Sequence, residues 1–89
     1  MTFEFKIWVK NKIVDSMYMP RRLAVDLNYQ PISYIQSHVI TNNKEEIKCT
    51  LVTFFDGTKK IAADQYTTFI KKYNDFVDEI TAKNIPGVN

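Results

Sequence analysis

The chain has 89 residues and a formal net charge of +2, with twelve Lys and Arg side chains against ten Asp and Glu. This length suits one domain, and the near balance of charges lacks the basic excess of a dedicated nucleic-acid-binding protein. Two glycines are too few for a phosphate-binding loop, and one His with one Cys is too few for a tetrahedral zinc site. The composition therefore excludes most nucleotide enzymes, and it predicts no cofactor and no metal.

The first predicted element is a strand that begins at Phe3. Its inward positions are apolar, namely Phe3, Phe5, Ile7 and Val9. Its outward positions hold Glu4, Lys6, Trp8 and Lys10. Because apolar and polar side chains alternate, we expect one face of this strand to be buried and the other to be mostly solvated.

A hairpin is predicted directly after this strand. Residues 11–12 form a candidate two-residue turn, since Asn tolerates the positive φ that such a turn needs. A hairpin closed there pairs Val9 with Val14. The same register places three large side chains together on the outward face: Trp8, Met17 and Met19.

The middle of the chain predicts a connection and another strand. We expect Pro20 to end the second strand, and residues 21–28 to be either one or two turns of helix or an irregular connection. Residues 32–40 are the next predicted strand. The polar run 41–46 is predicted to be a loop.

A second hairpin is predicted around residues 56–57. Residues 47–55 alternate and are rich in β-branched and aromatic side chains, which favour strands. Asp-Gly is preferred at the centre of a two-residue type I′ turn because both positions take positive φ. This turn pairs Val52 with Ile61. Cys49 lies within the strand, where we expect a core position; a position at the edge of the sheet is the alternative, and it would leave a reactive thiol.

An amphipathic helix is predicted after Asp64, a favourable N-cap residue. Apolar side chains recur on one face at steps of three and four residues. They are Tyr66, Phe69, Ile70, Tyr73, Phe76, Val77 and Ile80. Lys71 and Asp75 lie four residues apart on the polar face and are expected to pair. Residues 84–87 contain Asn, Pro and Gly, which stop a helix.

These elements predict an α+β fold, in which an antiparallel sheet of about five strands carries one long C-terminal amphipathic helix packed on it. Residues 1–85 are expected to form this single domain and residues 86–89 a disordered tail. The sequence has neither a signal-peptide pattern nor an apolar run long enough for a membrane span. We therefore expect a cytoplasmic protein without a membrane partner, and the abundance of Lys, Asn and Ile is typical of phage or bacterial genomes rich in A and T.

Few side chains suit catalysis. His38 is the one His in the chain, and alternation along its strand sets no nucleophile or carboxylate beside it. Three carboxylates share one helical face that is interpreted as solvated rather than as a cation site: Asp75, Asp78 and Glu79. The sequence accordingly predicts that the protein is not an enzyme.

The preferred interpretation of function is protein binding. A contiguous patch of Trp8, Met17 and Met19 on the outward face has the composition of an interface, because these side chains bury much area and Met adapts its shape. We expect a small regulator or inhibitor that occupies the surface of a protein partner, or a homodimer. A second layer of chain across this face is the alternative explanation of the patch.

The second interpretation is nucleic-acid binding without strong sequence preference. Basic residues flank Trp8 or occur in pairs, and cations set among exposed aromatic side chains suit a phosphate backbone with stacked bases. The candidate contacts are Lys6, Lys10, Arg21, Arg22, Lys59 and Lys60.

Overall fold

The computed structural model describes residues 2–14 and 17–84, and the side chains of this part of the chain as far as residue 81. The strands are β1 (Thr2–Lys10), β2 (Tyr18–Asp26), β3 (Ile32–Asn42), β4 (Glu45–Phe54) and β5 (Lys59–Ala62), and the helix is α1 (Tyr66–Asn84). The predicted α+β class is confirmed. The predicted ends of the domain and the predicted tail at 86–89 lie outside the described residues.

The five strands form one sheet in the order β2-β1-β5-β4-β3, and all neighbours are antiparallel. The short strand β5 lies in the centre, and it joins the long hairpin β1–β2 to the long hairpin β3–β4. It pairs with β1 at only two positions, Ile7–Ala62 and Trp8–Ile61. The two hairpins are therefore held together mainly by β5 and by the helix.

The helix packs on the face of the sheet that carries the inward residues of β1. Eight buried residues form this core: Phe3, Phe5, Ile7, Val25, Val52, Phe54, Ala62 and Phe69. Phe69 is fully buried, and its ring centroid lies 5.2 Å from that of Phe5 and 5.7 Å from that of Phe3. Aromatic pairs at this separation contribute about 0.5–1.5 kcal/mol beyond area burial. The predicted packing of the apolar helix stripe against the sheet is confirmed.

The start of the helix is attached to β4. The buried Thr50 hydroxyl donates a hydrogen bond of 2.8 Å to the backbone carbonyl of Asp64. The first helical bond runs from the Phe69 N–H to the Gln65 carbonyl, so the N-cap position falls on Gln65 and not on Asp64 as predicted. The Asp64 carboxylate instead accepts a hydrogen bond of 2.8 Å from Lys72. The predicted pair between Lys71 and Asp75 is confirmed at 3.0 Å.

The first hairpin differs from its predicted form. β1 pairs with β2 so that Val9 lies opposite Met19 and Lys10 opposite Tyr18. The connection between the two strands, called the wide loop below, is therefore longer than the predicted two-residue turn. The Asn11 side-chain oxygen accepts hydrogen bonds from the N–H groups of Ile13, at 2.7 Å, and Val14, at 3.0 Å. This local bonding competes with a tight turn, which would also require positive φ from Lys12.

Pro20 does not end β2, and residues 21–28 are not helical. β2 continues to Asp26, where a turn begins with hydrogen bonds from Tyr29 and Gln30 to the Asp26 carbonyl. Pro20 is tolerated because β2 is an edge strand. Tyr18, two residues earlier, directs its N–H away from β1, and the Pro20 nitrogen faces the same free edge, where no ladder bond is lost.

The turn between β3 and β4 is shorter than predicted, and the turn between β4 and β5 is longer. Asn43 and Lys44 have φ of 50° and 69° and join Asn42 directly to its partner Glu45, so the predicted loop 41–46 is a two-residue type I′ turn. The strand predicted at 32–40 is confirmed and extends to Asn42.

The turn at residues 55–57 contains three residues rather than two. Gly57 alone takes positive φ there, at 89°, while the Phe54 N–H binds the Thr58 carbonyl at 2.8 Å. The Asp56 carboxylate accepts the Thr58 N–H at 2.8 Å, which supports this turn and lowers the pKa of Asp56. The predicted register was wrong by one residue, because Ile61 pairs with Leu51 and not with Val52.

The two edge strands of the sheet meet at one point. The Asn42 side-chain oxygen accepts the Tyr18 N–H at 2.8 Å, and its amide nitrogen donates to the Tyr18 carbonyl at 3.4 Å. Asn42 ends β3 and Tyr18 begins β2, while a short turn joins the opposite ends of these two strands. The sheet is therefore curled enough to bring its two free edges together.

Candidate binding surfaces

Trp8 lies on the sheet face opposite the helix, as alternation predicts. It belongs to a row of paired residues that crosses all five strands: Pro20, Trp8, Ile61, Leu51 and Gln36. The side chain is only half-buried, but its indole Nε1 is fully buried and has no hydrogen-bond partner within the described residues. Trp8 is therefore partly built into the sheet surface, and its contact with a partner remains a prediction.

The predicted grouping of Trp8 with the two methionines is wrong. Met19 pairs with Val9, so it lies on the face of the sheet that Trp8 does not share. Met17 precedes β2, in the wide loop, and is 39% exposed. The cause is the register: a shift of an odd number of residues transfers every side chain of β2 to the other face.

The two methionines instead join an apolar surface at the end of the first hairpin. We call this surface the hairpin tip; its members are Val9, Ile13, Val14, Met17 and Met19. Ile13 is 93% exposed, and Val9, Val14 and Met17 are about two-fifths exposed. A groove of about 320 Å³ is lined by three members of the tip, Val9, Ile13 and Met19. Asn11 and the cations Lys10, Lys12 and Arg21 complete its lining.

Three members of the hairpin tip were missed from the sequence, namely Val9, Ile13 and Val14. The predicted two-residue turn made Val9 and Val14 cross-strand partners, so no exposed loop was expected there. The available signal was Asn11 followed closely by two adjacent apolar residues, because an Asn side chain readily caps a local turn. In the described part of the loop, that side chain binds Ile13, and the Asn11 N–H donates a hydrogen bond of 2.8 Å to the Met17 carbonyl.

The predicted basic residues divide between the two faces of the sheet. Four share the face of Trp8, and all four are exposed: Lys6, Lys10, Arg22 and Lys59. Arg21 pairs with Ile7 and Lys60 pairs with Val52, so these two belong to the face that carries the core. Both ion pairs found in the described part of the chain involve helix lysines, and neither includes a cation of the Trp8 face.

A third feature is a cleft of about 510 Å³ between the β3–β4 hairpin and the start of the helix. His38 and Cys49 are direct cross-strand partners here, and Tyr66 lines the helix side. Burial raises the pKa of the Cys49 thiol, which is 1% exposed, so the thiol is protonated at neutral pH. The cleft therefore holds no activated sulfur nucleophile, and the described residues contain no group of three or more His, Cys, Asp or Glu placed to hold a metal ion.

Among residues 2–14 and 17–84, no helix combines the length and the hydropathy required to cross a bilayer. Comparison of the chain with protein-family models, with curated proteins and with solved structures gives no match.

Proposed function

We propose that this chain is a small, non-enzymatic binding protein of the cytoplasm that acts as a regulator or inhibitor by inserting its hairpin tip into the surface of a partner protein. The observation that carries the proposal is the 93% exposure of Ile13 among four other apolar side chains at the end of one hairpin. Met17 and Met19 keep the role expected from the sequence. Ile13 takes the central position expected for Trp8.

The energetic argument rests on apolar area. Moving a largely exposed Ile side chain out of water contributes about 1.5–3 kcal/mol, which is the size of an interface hot spot. Met17 and Met19 flank the loop, and their flexible thioether side chains adjust to the shape of a partner. One hairpin thus presents one anchor together with adaptable contacts.

Three hydrogen bonds of Asn11 also join the described parts of the loop, residues 11–14 and Met17. Asn11 accepts the N–H groups of Ile13 and Val14, and its own N–H closes the loop onto Met17. A loop that is ordered in advance loses less conformational entropy when it binds. The bonds of Asn11 restrain Ile13 and Val14 in this way, which supports a docking role for these two side chains.

Charge indicates the chemistry of the partner. Residues 9–21 contain three cations, Lys10, Lys12 and Arg21, and one acid, Asp15, so the segment has a net charge of 3 − 1 = +2. The three cations also line the groove beside Ile13. A partner with an apolar pocket and an acidic rim fits this arrangement, since complementary charge raises the association rate and selects the partner.

The test compares substitutions at two residues that are exposed to a similar extent, one before β2 and one after it. Ile13→Asp places a charge on the tip, whereas Tyr29→Asp changes a side chain that is 89% exposed in the turn after β2. Immobilised wild-type protein and both variants are incubated with host lysate, and each captured protein is then purified and titrated. We expect Ile13→Asp to weaken binding of the partner about 30-fold, equivalent to a hot spot of about 2 kcal/mol, while Tyr29→Asp binds normally.

Thermal unfolding of both variants provides the control for folding, because substitutions at exposed sites change stability by only about 0.5 kcal/mol. Equal binding by Ile13→Asp and the wild type contradicts the proposal. Sedimentation measures the oligomeric state of both proteins. If the wild type is a dimer and Ile13→Asp is a monomer, the partner of the hairpin tip is a second copy of this chain.

A further inference from the structure

We propose that the sheet face around Trp8 binds single-stranded nucleic acid without strong sequence preference. We call this surface the basic sheet face, and its cations are Lys6, Lys10, Arg22 and Lys59. It lies on the side of the sheet opposite Val9 and Met19 of the hairpin tip. The two surfaces share Lys10, which also lines the groove of the tip. Trp8 and the other three cations belong to the basic sheet face alone, so the proposal assigns the protein a second ligand at a second surface.

The strongest observation is a pair of adjacent like charges that form no ion pair within the described residues. Lys6 and Arg22 are direct cross-strand partners, which places their Cβ atoms about 5 Å apart. Like charges in this position destabilise a sheet, and neither side chain forms an ion pair in the described part of the chain. An anionic ligand between them removes this repulsion. A phosphate group supplies the charge and several hydrogen-bond acceptors.

The cations extend along the sheet rather than around one point. Lys10 lies four residues beyond Lys6 on the same strand, a separation of about 13 Å at the rise of a β-strand. Lys59 on β5 lies on the same side of Trp8 as Lys10 does. It is two residues from Ile61, which pairs with Trp8. Two carboxylates, Glu4 and Asp64, line a recess together with Lys6 and Arg22, and that of Asp64 already accepts a hydrogen bond from Lys72. A linear anion with several charges fits this track better than a single phosphate.

Aromatic side chains lie between and beside these cations. Trp8 is half-buried in the middle of the face, and Tyr34 on β3 is 58% exposed on the same face. Tyr18 lies beside Lys10 as its cross-strand partner. Base stacking on such rings contributes about 1–3 kcal/mol per base and requires unpaired bases. This combination favours a single strand over a duplex, whose bases are already stacked.

The experiment measures fluorescence anisotropy of a labelled oligothymidine and of an RNA of the same length, with purified full-length protein. Four phosphate contacts predict a slope of about −2.8 in log affinity against log salt. Affinity is therefore expected to fall about 50-fold between about 50 and about 200 mM salt. Emission of Trp8, the one Trp in the chain, is expected to change on binding.

The critical variant is Lys6→Ser with Arg22→Ser, and its matched control is Lys48→Ser with Lys71→Ser. Each double variant removes two positive charges from exposed sites, but Lys48 pairs with Val39 on the other face of the sheet, and Lys71 lies on the helix. The critical variant is expected to reduce the magnitude of the salt slope by about 1.4. The control is expected to keep the wild-type slope.

Three results overturn the proposal. The first is absence of binding at low salt. The second is an equal loss of affinity in the two double variants, which assigns the effect to net charge. The third is equal or tighter binding of a duplex, or of vesicles containing anionic lipid, which removes the preference for a single strand. Ile13→Asp is expected to bind the oligonucleotide normally, so failure of this proposal is distinguishable from failure of protein binding by the hairpin tip.

Discussion

At the scale of single residues, position in the sheet decides which chemistry is available to Cys49. The sequence predicts a small core side chain there, and the structure confirms that the thiol is buried. Desolvation raises its pKa above the ordinary value of 9.0, against a smaller opposing effect of a hydrogen bond from the Ile40 backbone. The thiol is therefore inert at neutral pH, because only the thiolate is a good nucleophile.

The raised pKa of Cys49 predicts how stability depends on pH. The folded chain holds the thiol proton more tightly than the unfolded chain, so this contribution to stability is complete below the unfolded pKa. It is lost as the pH rises through the folded pKa. We expect the free energy of unfolding of the wild type to fall more between neutral pH and about pH 10 than that of Cys49→Ala.

Urea unfolding at several pH values measures this difference, and the comparison removes the effect of Tyr and Lys residues that both proteins share. Parallel pH profiles for the two proteins contradict the assignment. Alkylation of Cys49 by iodoacetamide supplies a second measurement, and it is expected to be slow in the folded protein and fast in urea.

At the scale of elements, the same dipeptide occupies two different turns. Asn43 and Lys44 form a two-residue turn, whereas Asn11 and Lys12 begin a wide loop. A two-residue turn at 11–12 sets Pro20 opposite Phe3, within the core face. The observed register instead sets Val25 opposite Phe3, and Val25 is 3% exposed. Burial of apolar side chains therefore outweighs the local preference of the turn residues.

The helix makes its strongest contacts near its start, which alters the expected effect of two substitutions. Phe69 is fully buried between Phe3 and Phe5. Phe76 is half-buried, and within the described residues it has one aromatic neighbour, Phe3, at 5.1 Å. We expect Phe69→Ala to lower the free energy of unfolding by about 3–5 kcal/mol and Phe76→Ala by about half as much.

Urea unfolding of the two variants in parallel tests this order. Both substitutions replace Phe with Ala inside the same helix, so each serves as the control for helix propensity in the other. An equal or larger effect of Phe76→Ala means that the second half of the helix is held as tightly as the first.

At the scale of the whole molecule, one side chain joins the two edges of the sheet. The Asn42 amide binds both backbone groups of Tyr18 that point away from β1. Unpaired edge strands otherwise offer such groups to other chains. Asn42 thus closes one end of the gap between β2 and β3, and the turn after Asp26 closes the other.

We expect Asn42→Ala to lower the free energy of unfolding by about 1–2 kcal/mol, because it leaves one donor and one acceptor of Tyr18 without their partner. Hydrogen exchange measured by NMR is the more specific readout, since the Tyr18 amide is expected to lose most of its protection. Asn74→Ala, on the exposed face of the helix, is the control and is expected to leave Tyr18 unchanged. Full protection of the Tyr18 amide in Asn42→Ala contradicts the assignment that the Asn42 side chain joins the edges of β2 and β3.

The sequence by itself determined the kinds of elements and most of their order. Alternation along the first strand and the three-to-four spacing from Tyr66 to Ile80 are local patterns, so they predict a strand and a helix without knowledge of any partner. The same patterns predicted that Trp8 faces away from the helix and that Phe69 belongs to the core. Both expectations agree with the structure.

Only the tertiary structure decided the registers, and with them the composition of each surface. A shift of one residue at the turn after Phe54 moves Ile61 beside Leu51, and the wide loop after Lys10 moves Met19 away from Trp8. Pairing depends on which register buries the most apolar area across distant strands, and local alternation does not encode that sum. The hairpin tip and the basic sheet face are consequences of those registers, which is why the sequence named several of their residues but grouped them differently.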